Sequence, residues 1–310
     1  MSAPNRFLLF GAFFGIYFIW GTTYLAALFG LDGMKPFVLC TLRYAIAGSI
    51  LLGWSLFRGE KLRRDRAYLQ TCAVSGILML AGGTGLVIYA EQYVNSGEAA
   101  VIVATEPIFF LLFDYKRWRN YFSTPLILFG IMLGFGGVAM FSHYTEAPQH
   151  ALKPGESQAT GIILLLLAAV FWVLGALYAK NRLSKGSSNT MNSSMQLLFA
   201  AVFCSIVAVP SGEWRSFDPL HTSARAWAGL LFLVIMGSLV AYMAYTWLLT
   251  IRPPALISTH TYVNPVVAII MGWLLAGEKV AAMQLVSLVV ILAGVLLVNL
   301  PDYRAKRKPA

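Results

Sequence analysis

Ten apolar runs, each near the ~20 residues that a helix rising 1.5 Å per residue needs to cross a bilayer, occupy most of this 310-residue chain. They fall at 7–30, 36–57, 68–90, 97–113, 123–142, 158–180, 192–210, 226–249, 255–275 and 281–300. Hydrophobic residues make up 58% of the chain and charged residues 12%, against roughly 45–50% and 25% in soluble domains. Mean hydropathy is +0.71. The pattern predicts an all-α membrane protein of ten transmembrane helices. Arg6 precedes a first run too long for a cleaved signal, and further spans follow, so that run is expected to stay as a helix.

An even number of spans puts both termini on one side, and charge says which. Basic residues crowd the alternate loops: Arg58, Lys61, Arg63, Arg64 and Arg66 after the second run, Lys116, Arg117 and Arg119 after the fourth, Lys180, Arg182 and Lys185 after the sixth. With Arg6, Arg252 and the basic tail they number 17, while the opposite loops hold five and Arg43 sits within the second run. Both termini are therefore expected to be cytoplasmic. The +10 net charge is then a topology signal with affinity for anionic lipid head groups, not a nucleic-acid footprint. Cys40, Cys72 and Cys204 all lie in or beside apolar segments without CxxC spacing, so neither a disulfide nor a zinc site is expected.

The halves of the chain repeat each other. Glu106-Pro107 interrupts one apolar run, and Asn264-Pro265 interrupts another 158 residues later. A polar side chain beside a proline within an apolar run must find a partner, and the proline leaves a carbonyl without its donor. Residues 1–142 form the first unit, 143–157 an extracytoplasmic linker, 158–300 the second unit and 301–310 a basic cytoplasmic tail. Five spans per unit is an odd number, so the second copy enters from the opposite side. Inverted repeats of this kind can expose a midplane site alternately to each face. Gly11 and Gly15, and Gly130 and Gly134, have the small-xxx-small spacing of close helix crossings.

Several stretches resemble the drug/metabolite transporter superfamily, and within it the EamA-type ten-helix exporters, with the YedA-like branch nearest in look. They are Trp20-Gly21-Thr22-Thr23-Tyr24-Leu25, Arg43-Tyr44, Gly85-Leu86-Val87, Ala90-Glu91, Ser96-Gly97, Ala104-Thr105 with Pro107, Tyr262-Val263-Asn264-Pro265-Val266-Val267 and Gly277-Glu278. The resemblance implies export of amino acids, other metabolites or toxic cations, driven by the proton gradient. In the family pattern the position before the first of these prolines is often apolar; here it is Glu106.

Ionisable groups within spans are site candidates by default. Arg43 and Glu106 lie at similar depth, and an ion pair between them, either permanent or opened by substrate or proton, is expected. Glu91 is either a vestibule residue or a solvated loop charge, and Glu98 and Glu278 read as helix-start residues. His260 and Asn264, four apart, share a face and either contact substrate or satisfy carbonyls freed at Pro265. Trp20, Tyr24, Tyr89, Trp172, Tyr242 and Tyr245 are candidates for an aromatic-lined cavity, with Pro107 and Pro265 as hinges. No HExxH, GxSxG or Walker A pattern occurs, so a lipid-modifying membrane enzyme is the weaker alternative, and an uncoupled facilitator or channel the nearer one. No cofactor or metal is expected. The expected partners are a small-molecule substrate, protons and the lipid bilayer of the bacterial inner membrane, for a monomer or weak homodimer.

Overall fold

A computed structural model describes residues 6–113, 125–145, 157–183, 188–252, 257–258 and 260–305, with side chains described to residue 297. Every regular element among them is helical. Among the described residues eight helices are long and apolar enough to cross a membrane: α1 (Arg6–Leu31), α2 (Pro36–Phe57), α3 (Arg66–Ala90), α4 (Ser96–Phe113), α5 (Pro125–Tyr144), α6 (Gln158–Arg182), α7 (Asn189–Ala208) and, after the one-turn α8 (Glu213–Ser216), α9 (Ala224–Ile251). The ninth and tenth apolar runs fall on shorter apolar stretches, in α10 (His260–Ala276) and α11 (Ala282–Ala305). Most of the linker, the basic loops around Lys116 and Lys185 and the end of the tail lie outside the described residues.

Polar residues set the helix boundaries. Pro36 starts α2, where its missing N–H costs nothing. Asp65, Ser157, Ser188 and Ser223 cap α3, α6, α7 and α9 by accepting from backbone N–H groups one turn on. Exposed Asp65 also takes Arg63, and these hydrogen bonds hold its carboxyl below the usual range.

Helices of the first half pack chiefly on helices of the second: α1 on α9 and α10, α2 on α7, α3 on α6, α4 on α10 and α5 on α11. Crossings this close need missing side chains. A Cβ at Gly294 of α11 would meet the backbone of Gly130 and Gly134 at 2.6–2.7 Å, so the glycine spacing expected on α5 is used here. A Cβ at Gly11 would meet nothing within 4 Å, so that glycine plays no such part. Outward faces carry large apolar side chains such as Phe10, Met132, Ile163 and Leu285, as a lipid-facing surface requires. The three thiols are buried and free.

Candidate functional site

Among the described residues four helices contain π-helical stretches: Gly15–Ile19 in α1, Ile77–Gly85 in α3, Leu233–Tyr242 in α9 and Gly272–Ala276 in α10. Widening a helix shifts its carbonyls off their usual donors, and such segments concentrate at functional sites. Side chains from neighbouring helices take up the slack. Tyr44 Oη donates to Leu80 O (3.0 Å), and Trp20 Nε1 donates to Gly237 O (3.3 Å). With its amide oriented to satisfy both ends, Asn264 Nδ2 donates to Tyr17 O (2.7 Å) and Ile16 O (3.0 Å). In the same orientation its Oδ1 accepts from His260 Nδ1 (3.1 Å).

The second of these stretches, through Gly83 and Thr84, lines a central cavity of about 80 Å³, room for several waters at ~10–15 Å³ each. Arg43, Glu91 and Glu106 line it, with Thr23, Tyr24 and Thr84 between them. Arg43 comes from α2 and its Nε donates to Ser238 Oγ at 2.9 Å. Glu91 ends α3 at 0% exposure, and neither carboxylate oxygen has a hydrogen-bond partner among the described residues. Glu106 is 3% exposed and its Oε1 is likewise unpartnered. It starts the second half of α4, which breaks after Val103; Pro107 follows in the first turn, so the break leaves a half-helix N-terminus in the membrane interior. His260 Nε2, also on the cavity lining, is a further buried polar atom without a hydrogen-bond partner among the described residues.

The remaining wall is aromatic. Trp20 meets Trp172, Tyr245 and His260 at ring-centroid distances of 5.4, 5.1 and 5.1 Å, and Trp172 Nε1 donates to Tyr245 Oη (3.2 Å). One boundary of the hollow can thus stack a flat or apolar group, while its ionisable groups take charge of either sign.

The family model for EamA-like transporters matches the chain twice, over residues 8–143 and 159–300. The chain belongs to the EamA-like transporter family. It is 35% identical over 303 residues to the uncharacterized inner membrane transporter YedA of Escherichia coli (strain K12), covering 97% of this chain and 94% of that protein. The uncharacterized transporter YoaV of Bacillus subtilis (strain 168) is 26% identical, at 89% and 91% coverage. Protein PecM of Dickeya dadantii (strain 3937) is 25% identical, at 94% and 93%. A solved crystal structure superposes with a TM-score of 0.68 at 18% identity, covering 97% of this chain and all of the other, which shows a shared fold. The protein is a membrane transporter.

Within this transporter several expectations change. Arg43 and Glu106 share the cavity but form no ion pair: the guanidinium turns to Ser238. Glu91 is not a solvated loop charge, because Gly161 of α6 brings that helix against Ala90 and Val94 and closes the end of α3. Glu98 does stand in the first turn of α4, as expected, and is buried there, both oxygens accepting from Gln158 Nε2 at 2.8–2.9 Å. Glu278 caps α4 rather than its own helix, accepting from Ser96 N at 3.0 Å and Ser96 Oγ at 2.7 Å. Asn264 serves α1 instead of the carbonyl freed by Pro265, and Pro265 sits inside a continuous helix. Tyr89 packs on Phe37 and Tyr93 away from the cavity, and Tyr242 and Tyr245 stand behind its aromatic wall.

Some contributors carried no sequence signal. Ser238 is an ordinary residue in an apolar run until Arg43, 195 positions earlier, reaches it. Glu213 binds the N-terminus of α2 through Phe37 N (2.7 Å) and Val38 N (3.1 Å). On the other half Ser188, the N-cap of α7, donates its hydroxyl to Glu60. Glu60 and Glu213 lie 153 residues apart, as do the N-cap positions Lys35 and Ser188.

Proposed function

We propose that the chain is a secondary active transporter of the bacterial inner membrane, exporting small organic metabolites in exchange for protons. Its ten helices would act as two inverted five-helix repeats, residues 1–142 and 158–300, with both termini cytoplasmic. Alternating access would then run through the central cavity. The carrying observation is that Arg43, Glu91 and Glu106 face one hollow with no ion pair among them. Leaving such groups unpaired costs free energy, which a structural pair would have avoided. Two features support the repeat: helix partners that stay the same when the halves are exchanged, and carboxylates placed 153 residues apart at the starts of α2 and α7.

The chemistry points to zwitterions, amino acids or related compounds. The nitrogen fork of Arg43 beyond Nε takes a carboxylate, Glu106 takes an ammonium or, in its absence, a proton, and the Trp20–Trp172 wall takes the side chain. Tyr24 and His260 complete the cavity surface between them. Counterflow of labelled amino acids and organic cations in proteoliposomes tests this. Arg43→Ala should lower zwitterion exchange at least about tenfold, a loss of ~1.4 kcal/mol of binding, while sparing cations. Equal exchange by the variant and the wild type would remove the zwitterion reading.

A further inference from the structure

Asn264 and His260, one turn apart on α10, fix each other's hydrogen atoms. Ile16 O (3.0 Å), Tyr17 O (2.7 Å) and His260 O (3.1 Å) surround one end of the Asn264 amide. A carbonyl can only accept, so that end is the NH2. Two of these carbonyls belong to the π-helical stretch of α1. That helix comes close to α10 at Gly21, where a Cβ would lie 3.1 Å from Asn264 O. The other end of the amide is then Oδ1, which faces His260 Nδ1 at 3.1 Å. An amide oxygen also only accepts, so Nδ1 carries the hydrogen.

With Nδ1 on an amide and Nε2 unpartnered among the described residues, neither ring nitrogen meets a carboxylate. Charging the ring would put a cation with no bonded counter-ion beside Trp20 and Tyr245, whose rings stand edge-on at 5.1 and 6.0 Å, so the imidazole is neutral. A neutral ring protonated at Nδ1 carries a lone pair at Nε2. His260 is 3% exposed and lines the central cavity. The lone pair is therefore a buried acceptor, and leaving it unmet costs free energy. The neighbouring wall does not meet it. Trp20 Nε1 gives its hydrogen to Gly237 O, Trp172 Nε1 to Tyr245 Oη, and Thr23 Oγ1 to Trp20 O at 2.7 Å. This side of the cavity offers ring faces and one acceptor.

We propose that His260 is a specificity-determining residue of the central cavity: its Nε2 accepts a hydrogen bond from an O–H or N–H group on the side chain of the solute. Asn264 is the positioning residue that keeps Nε2 free of hydrogen. This rests on the reading of the cavity as a zwitterion site, in which Glu106 takes the ammonium and the Trp20–Trp172 wall beside His260 takes the side chain. An apolar group in the same place leaves the lone pair buried and unpaired, so solutes of one shape are told apart by their donor. Nitrogen NMR of protein carrying isotope-labelled histidine, with the His260 signals assigned by their loss in His260→Asn, tests the hydrogen positions without any solute. At pH 7 Nδ1 should be protonated and Nε2 bare, and Asn264→Ala should lose this preference. Threonine against valine and tyrosine against phenylalanine, pairs that differ by one hydroxyl, test the recognition. In proteoliposome counterflow the hydroxyl member of an exchanging pair should be preferred by at least about fivefold, and its addition should shift the His260 Nε2 signal. His260→Asn, which keeps a donor near the Nδ1 position and lacks Nε2, should bring the ratio to about one. His260→Gln, whose amide oxygen reaches towards the Nε2 position, should lower it less and stands in where the asparagine variant does not fold. A hydrogen on Nε2 in the wild type, an Nε2 signal that no solute moves, or a ratio unchanged in the folded variant would each overturn the proposal and leave zwitterion transport standing. Exchange of none of the four amino acids by the wild type would overturn both.

Discussion

Replacing Glu91 by glutamine keeps the side-chain shape and removes its charge at a position with 0% exposure and no hydrogen-bond partner among the described residues. An unpaired carboxylate withdrawn from water costs several kcal/mol after relaxation, whereas an unsatisfied neutral amide costs about 1–3 kcal/mol. Glu91→Gln should therefore stabilise the protein by about 1–2 kcal/mol. At roughly 2–4 °C per kcal/mol for chains of 150–250 residues, the melting temperature in detergent at pH 7 should rise by about 2–8 °C. Transport should fall at the same time, since groups held at a cost to stability are those that activity needs. Scanning fluorimetry reads the first effect and proteoliposome counterflow the second. A lower melting temperature for Glu91→Gln would show that the carboxylate is structurally satisfied, and the reasoning that makes it a working group would fail.

Asn264→Ala removes the donor to Tyr17 O and Ile16 O and frees His260 Nδ1; at about 0.6 kcal/mol per lost contact in a membrane interior, we expect a loss of about 2 kcal/mol in chemical denaturation. Gly294→Leu forces a side chain into the backbone of Gly130 and Gly134 and should separate α5 from α11, read as failure to purify as a monodisperse species, while Gly11→Leu should be tolerated. Glu213 lies between spans, and burial pushes its carboxyl above the ordinary range, the amides of Val38 and Phe37 pulling the other way without prevailing. A raised folded-state value means stability that is present below the ordinary carboxylate range and lost as pH rises through the raised one. The melting-temperature advantage of the wild type over Glu213→Gln should therefore shrink as pH rises above about 4.5, and a constant difference would contradict this.

Hydropathy placed the helices because lipid imposes one rule along the whole chain, and the runs at 36–57 and 97–113 match α2 and α4 within a residue. Polar residues inside those runs marked the cavity for a related reason: Arg43, Glu106, His260 and Asn264 are too expensive to face lipid, and the structure gathers them with Trp20, Tyr24 and Trp172. Partnership was not legible. Arg43 could be expected to seek Glu106 by depth, but its rotation about α2 is set by packing on α7 and by a π-helical stretch in α9 that presents Ser238. Glu91 was ambiguous because a carboxylate ending an apolar run beside Gln92 and Asn95 looks the same whether or not another helix covers it. The covering helix begins about 70 residues later, at Gln158. The π-helical stretches have no sequence signature beyond scattered glycines, so the carbonyls that recruit Trp20, Tyr44 and Asn264 could be seen only in three dimensions.

The central claim is that a buried carboxylate of this cavity exchanges a proton for the solute. The most direct measurement is solute-driven proton movement in proteoliposomes carrying a trapped pH dye, for the wild type and for Glu106→Gln. The account predicts that an amino acid found to exchange also moves protons in the opposite direction, and that Glu106→Gln abolishes the proton signal while the protein remains folded. Solute movement of equal rate in both proteins, with no proton signal in either, would contradict it and leave a facilitator.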